Sequence, residues 1–443
     1  MTKADRWASK TQFFELLLMA VVLIGLANLV YFFIVKGYLP SPFVFDVNDT
    51  FMDWFNTAYW SHNDGAYAVW NTIYAPLSLV ITQFLGNPRC YTQNPFAARD
   101  CDTLGIVVLC ATYLICVVVS AIAMFRNDRK TALFRTVTLA IGGPLLFALE
   151  RGNIIMFAFI GFVCLFGNLT KSRLAIAGAA AALINLKVYL LFPVLSFAIK
   201  RKWRTLELCG FATIGLYLFT LFIFGDGTPA DLVANLKVWF NLRSGAIWDE
   251  LLYSTTYKPY LLFDARQYPI RDFVEQRTID FASRAIEIEV FASRAIAILC
   301  LIGAWFYPKA VPISRLVFFV LMQSFMAQNP GGYAIFFIVF LVFMEKWKNF
   351  ATGLAIVTCY FVSIPADVTL SVFFRFETVS WLSGRLVDSA YSLSLGALIR
   401  PGMIAIILWA LAIDTLIEIH REMRLSPPRL GLARTALFRR ELA

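Results

Sequence analysis

Apolar runs recur from one end of this chain to the other, several of them long enough to cross a bilayer, and few folds can absorb them. The runs 13–35, 104–125, 132–149, 154–169 and 206–224 come first, and 290–306, 316–326, 334–344, 350–364 and 402–417 follow. A crossing helix takes about 20 apolar residues, and a chain in lipid satisfies its backbone only as helix or closed barrel. These runs lack the apolar–polar alternation of barrel strands. With 443 residues, 59% of them hydrophobic and 15% charged, the sequence predicts an all-α, polytopic integral membrane helical bundle. It forms one domain, 1–443, with about ten to twelve transmembrane helices and further interfacial ones. No small-residue cleavage site follows 13–35, so that run reads as a retained anchor.

Lysine and arginine placement sets the expected orientation. Lys3, Arg6 and Lys10 precede the first run. Basic clusters then fall at Arg126, Arg129, Lys130 and Arg135, at Lys171 and Arg173, and at Lys200, Arg201, Lys202 and Arg204. Others lie at Lys309 and Arg315, at Lys346 and Lys348, and along a basic tail, 419–443. The positive-inside rule makes all of these cytoplasmic, both termini included. They hold most of the net charge of +10, which therefore marks a membrane face. The clusters are short and carry no nucleic-acid motif, so nucleic acid is not an expected partner.

The connections 36–102, 225–287 and 365–400 balance acids against bases and read as outer loops. With 46–64 outside and 126–135 inside, only one span, 104–125, fits between them. The apolar piece 66–85, with Pro76 in its middle, then lies along the outer interface or re-enters shallowly, as Tyr67, Trp70 and Tyr74 favour. Of eight cysteines, Cys110, Cys116, Cys164, Cys209, Cys300 and Cys359 fall in predicted spans. Cys90 and Cys101 share the first outer loop, where an oxidising environment favours a disulfide. No metal-ligand spacing occurs, and only two histidines are present; neither a metal nor a cofactor is expected.

The polar residues that remain gather in a few turns. Asp46, Asp49, Asp53 and Asp64 lie in the first outer loop among Trp, Phe and Tyr. Glu150-Arg151-Gly152-Asn153 forms a tight turn between two apolar helices, with Gly152 available for positive φ. The segment 174–199, set between two basic clusters, reads as a short hairpin turning near Asn185-Leu186-Lys187 and kinked at Pro193. A lysine at that depth calls for an acid or a lipid phosphate. Gln328 to Tyr333 is a further outer turn. In the 225–287 loop, Leu232, Leu236, Trp239 and Phe240 mark an interfacial helix, and Lys258, Arg266 and Arg271 are available to a phosphate or sugar. The near-identical decapeptides starting at Phe281 and Phe291 advance a helix by about 1000°, which indicates one lengthened helix and not a repeat architecture.

Acids on one loop and cations on others suit glycosyl transfer from a lipid phosphate. A carboxylate takes the acceptor's proton, and Arg or Lys offsets the departing phosphate. Asp49 and Asp53, four apart, would share a face of a helical turn.

The Asp53-Trp54-Phe55-Asn56 stretch, Tyr74-Ala75-Pro76-Leu77, the Glu150-Arg151-Gly152-Asn153 turn and Lys187 together resemble glycosyltransferase family 87, a mannosyltransferase-like branch of the GT-C superfamily, over 46–204. The resemblance implies a GT-C-like fold in a bacterial inner membrane. It implies inverting transfer of a hexose or pentose from a polyprenyl-phosphate donor to a glycan or lipid acceptor at the periplasmic face. Asp53 best matches the general base, with Asp49 its competitor, and Arg151 and Lys187 match positions near the donor phosphate. Glu150, Asn153, Tyr74, Lys258, Asn329 and Tyr333 are the candidates for substrate contact, and membrane lipids surround the whole. Family members commonly show His and Tyr in the later outer turn. This chain has Asn329-Pro330-Gly331-Gly332-Tyr333, which puts that turn's contact with substrate in question. Two rival readings are a transporter or flippase, which would place polar residues in broken spans, and a surface-polysaccharide polymerase. No half of the chain repeats the other, and a polymerase would centre on Arg or His instead of a first-loop aspartate.

Overall fold

The computed structural model describes residues 3–43, 47–241, 254–257, 275–327 and 331–425. Among these, five helices are long and apolar enough to cross a membrane: Thr11–Lys36, Thr103–Asn127, Ala132–Glu150, Trp203–Phe224 and Leu395–Leu425. They turn large apolar side chains outward, among them Ile24, Val107, Phe211 and Phe222. Lipid tolerates such faces and water does not, so the protein is a mostly helical, membrane-embedded one. Shorter apolar helices fill the interior, including Ile155–Phe166, Arg173–Leu186, Ile313–Ala327 and Phe350–Val362. At 1.5 Å per residue these cannot cross alone. The expected ten to twelve crossings are therefore not found as uninterrupted helices among the described residues.

Every residue of Ile335–Phe343 is buried, which makes it the central strut. Phe159 meets its Phe336, Phe337 and Phe340 edge-on, with ring centroids 4.7, 5.3 and 5.6 Å apart. Such T-shaped contacts align the positive edge of one ring with the negative face of another.

Two breaks have clear causes: one within 132–149, read from the sequence as a single run, and one in the 174–199 hairpin, where the sequence predicts a turn. Pro144 has no N–H to give Ala140, so the run from Ala132 divides into Ala132–Ile141 and Gly143–Glu150. The freed Ala140 carbonyl accepts the Tyr113 hydroxyl, and Gly143 N–H donates to the Ser363 carbonyl at 2.9 Å. Arg173–Leu186 ends where Lys187 adopts extended backbone, and short helices at Leu191–Val194 and Ser196–Ile199 carry the chain past Pro193 to Trp203–Phe224.

The 365–400 segment departs from its reading as a loop. Thr369–Val379 and Leu386–Ser394 form an antiparallel hairpin, with Glu377 opposite Asp388, and the last helix starts at Leu395 with Pro401 inside it. Pro76 opens the Pro76–Leu85 helix instead of interrupting it. Both decapeptide copies lie in the single helix Gln276–Phe306, and only the second is packed: Ser293, Ala297 and Cys300 are buried. Pro229–Asn241 is the expected amphipathic helix; it buries Leu232 and packs Leu236 beside it.

Arg135 and Arg315, counted above among the cytoplasmic basic clusters, are buried. Arg135 forks onto both oxygens of Glu15 at 2.7 Å and also donates to the carbonyls of Phe343 and Glu345. Those carbonyls are left open at the end of Ile335–Phe343, where the helix dipole also favours a cation. Arg315 forks onto Glu345 at 3.1 and 2.6 Å and reaches Asp414 at 2.8 Å and Glu418 at 3.1 Å. The pattern of charge alone cannot separate a solvated arginine from one whose acids come from distant helices. Replacing Arg135 by Met leaves Glu15 buried without its counter-charge and should cost about 3–5 kcal/mol. Thermal unfolding in detergent should show the single variant falling well below Glu15→Met/Arg135→Met, and an equal loss in both would remove the pairing argument.

Candidate functional site

Two backbone hydrogen bonds staple the first loop to the 150–153 turn: Phe51 N–H to the Glu150 carbonyl at 2.7 Å and Asp53 N–H to the Arg151 carbonyl at 3.0 Å. Gly152 makes this possible. Its φ is 64°, and a Cβ there would sit 2.9 Å from the Phe51 Cα. Phe51 itself has φ 65°, a left-handed conformation that costs a bulky residue energy. It stands just before Met52–His62, whose first turn carries Asp53, at the end of the helix where the dipole favours a carboxylate. Asp49 precedes that helix. The two aspartates are therefore not a helical i, i+4 pair; the turn at Phe51 brings both to one guanidinium.

That guanidinium is Arg151. It donates through one amino nitrogen to Asp53 Oδ1 at 2.8 Å and through the other to Asp49 Oδ2. Asn153 Nδ2 donates to the second Asp53 oxygen at 2.6 Å, while its own Oδ1 accepts from Ile155 N–H at 2.9 Å. Glu150 is buried; Thr50 donates to its Oε1 at 3.0 Å, and Oε2 has no partner. Asp49, Asp53 and Arg151 remain 26%, 18% and 17% exposed at their side chains.

Lys187, in the break between two helices, closes the group. Its ammonium lies over the Tyr74 ring, 4.3 Å from the centroid, and within electrostatic reach of Asp53. Among the described residues it has no hydrogen bond or ion pair. Burial lowers it to about 8, with Asp53 pulling the other way. Tyr74 is raised above the usual phenol range by burial and then by the Asp53 charge, so it stays an O–H donor at neutral pH. Tyr333 lies within reach of Asp53, Tyr74 and Tyr189. The Tyr189 hydroxyl is buried without a partner.

The structure thus brings together Asp49, Asp53, Glu150, Arg151, Asn153, Tyr74, Lys187 and Tyr333. Asp64 is not among them; it is exposed in the turn beyond its helix. Asp46, Lys258, Arg266, Arg271 and Asn329 lie outside the described residues, as do the side chains of Trp239 and Phe240 and the tail from residue 426. One role shifts. Arg151, expected near a donor phosphate, is occupied by two carboxylates, and Lys187 is the cation left open. No group of three or more His, Cys, Asp or Glu among the described residues is placed to hold a metal.

Residues not singled out from the sequence hold the loop in place. Cys90 and Cys101 are joined in the expected disulfide, with Cα atoms 5.5 Å apart. Inside the segment they close, Arg99 donates to the Thr50 carbonyl at 3.0 Å and to the Asn48 carbonyl. Trp381, at the tip of the strand hairpin, lies over this guanidinium at 4.7 Å and meets Phe51 edge-on at 5.5 Å. Its indole N–H donates to Asp100 at 2.7 Å. Asn48 adds a hydrogen bond to Thr378 at 2.8 Å. Arg99 could have been suspected from its place between the two loop cysteines, and the hairpin's turn from Ser383-Gly384, where Gly384 has φ 66°.

No family model, curated protein or solved structure matches this chain.

If the hairpin braces the loop, Trp381→Ala should open it locally. Amide hydrogen exchange at Phe51 and Asp53 should quicken by about tenfold or more while the core helices stay protected, and Trp381→Phe should recover much of that protection. Unchanged exchange at both amides would show that the brace is unnecessary.

Proposed function

We propose that this chain is a membrane glycosyltransferase that moves a sugar from a polyprenyl-phosphate donor to a hydroxyl of a glycan or lipid acceptor, with inversion, at the outer leaflet. One observation carries the reading: a carboxylate held at both oxygens shares its surroundings with a lysine that lies over a tyrosine ring and has no ion pair among the described residues. Arg151 and Asn153 each take one lone pair from Asp53, and each oxygen keeps another for an acceptor O–H. As the acceptor oxygen bonds to the anomeric carbon, the bond from that carbon to the phosphate oxygen breaks. The hydroxyl proton passes to Asp53, and the polyprenyl phosphate leaves as an anion.

Lys187 offsets that anion, and the Tyr189 hydroxyl, buried without a partner, is a further donor in the same region. Electrostatic stabilisation of developing charge in a site screened from water is the largest contribution such a site offers. Asp49 shares the guanidinium, so the charge of Arg151 is not spent on Asp53 alone. The resemblance to glycosyltransferase family 87 supports the same assignment. The cluster's place at one end of the bundle, beside helix ends instead of mid-span, favours transfer chemistry over a transport path.

Purified protein given radiolabelled polyprenyl-phosphate hexoses and pentoses with membrane acceptors should transfer label. Asp53→Asn should lower the rate by about 10²–10⁴-fold with expression intact, and full activity in both Asp53→Asn and Asp49→Asn would sink the mechanism. Because Lys187 loses its proton as pH rises through about 8, donor affinity should weaken above that value. Lys187→Arg, charged throughout, should keep its affinity there; a wild-type KM flat from pH 7 to 9 would count against the lysine as the phosphate's partner.

A further inference from the structure

We infer that the groove on the outward face of Thr103–Asn127, at the end of the bundle away from Asp53, binds one anionic phospholipid. Val118, Ala121, Ile122 and Phe125 line it, and Arg126 and Arg129 close it. Val118, Ile122 and Phe125 follow one another at spacings of three and four residues on one helix face, with Arg126 one turn beyond Ile122 and Arg129 in the turn just past the helix end, so the apolar stripe leads to two guanidinium groups. Val118, Ile122 and Phe125 are all exposed. An acyl chain fits the stripe, and a phosphate fits its charged end.

The charges at that end are open to an outside anion. Arg126 is braced by the carbonyls of Asn168 at 3.4 Å and Leu169 at 2.9 Å, which uses one of its amino nitrogens and leaves the others. Arg129 is exposed and has no partner among the described residues. The acid between them, Asp128, is committed to its own turn: it accepts from Lys130 N–H at 3.1 Å and from the Thr131 hydroxyl at 3.2 Å. Lys130 and Lys171, both exposed, add charge of the same sign nearby. Basic side chains at the end of a span attract anionic lipid by an amount that grows with each residue. A zwitterionic headgroup brings its own ammonium to the same place and gains less. The site is separate from the proposed sugar transfer, and its success or failure does not bear on that reaction.

Native mass spectrometry of the full chain in detergent, titrated with phosphatidylglycerol or phosphatidylcholine of matched acyl chains, tests the assignment. One phosphatidylglycerol should be retained about tenfold more tightly than phosphatidylcholine. Arg129→Gln, which removes no internal contact, should cut that preference to about twofold or less, and Arg129→Lys should restore most of it. Ala121→Trp, which fills the groove and leaves the charges, should weaken both lipids. Equal retention of the two lipids by the wild type would overturn the inference, as would a preference that survives both Arg129→Gln and Ala121→Trp. Competition by glycerol phosphate alone, without acyl chains, would assign the arginines to a soluble anion and overturn the lipid assignment.

Discussion

The geometry of the candidate site depends on Arg151 holding two carboxylates at once. Asp49 and Asp53 lie on either side of a left-handed turn at Phe51, and no regular element would keep them together. Like charges that close repel, more so where water is scarce. The guanidinium between them turns that repulsion into two charge-assisted hydrogen bonds in a planar fork that lysine could not reproduce. The staple from Phe51 and Asp53 to the Glu150 and Arg151 carbonyls then places the fork, and Gly152 lets the two backbones meet.

With Arg151 committed to the aspartates, Lys187 has no acid paired to it among the described residues. A half-buried ammonium held over a tyrosine ring gains a cation–π contact but remains short of a full counter-charge. Helix Arg173–Leu186 ends one residue too early to bury that lysine in its own turn, and the extended backbone at Lys187 aims it toward Tyr74. The break in the helix is therefore what places the ammonium over Tyr74. The 150–153 turn, the Lys187 break and the Gly331–Tyr333 turn are three stretches of irregular backbone at this end of the bundle.

Much of this was legible in the chain because membrane topology prunes the possibilities so hard. Basic residues at Arg126 to Arg135 and acids at Asp46 to Asp64 allowed one span between them, which made 66–85 a non-crossing segment; the structure gives it only the short helix Pro76–Leu85. The turn at Asn185 to Lys187 followed in the same way. The hairpin at 369–394 did not, because its exposed, mixed-charge strands look like an outer loop when charge balance is the only criterion. Arg135 and Arg315 were misplaced for a related reason. Counting cations assigns a side, whereas burial depends on whether Glu15, Glu345 and Asp414 arrive from helices far away in sequence, and no local pattern records that.

The two ends of the bundle solve the cost of charge in opposite ways. At one end Arg135 and Arg315 are wholly buried and matched by acids and helix-terminal carbonyls, a closed arrangement that leaves nothing to offer a ligand. At the other, Asp53 and Arg151 stay partly open, the Glu150 carboxyl keeps one oxygen unpaired, and Lys187 keeps its charge without an acid. Buried ionic networks contribute little net stability and are costly to leave incomplete, so a fold that completes one network and leaves the other unfinished gives up stability at the second place. Three features on the disulfide-closed and hairpin segments, Arg99, Trp381 and the Cys90–Cys101 link, brace the loop at that unfinished end. The fold thereby braces a charge network that it leaves incomplete, the arrangement the proposed transfer would need.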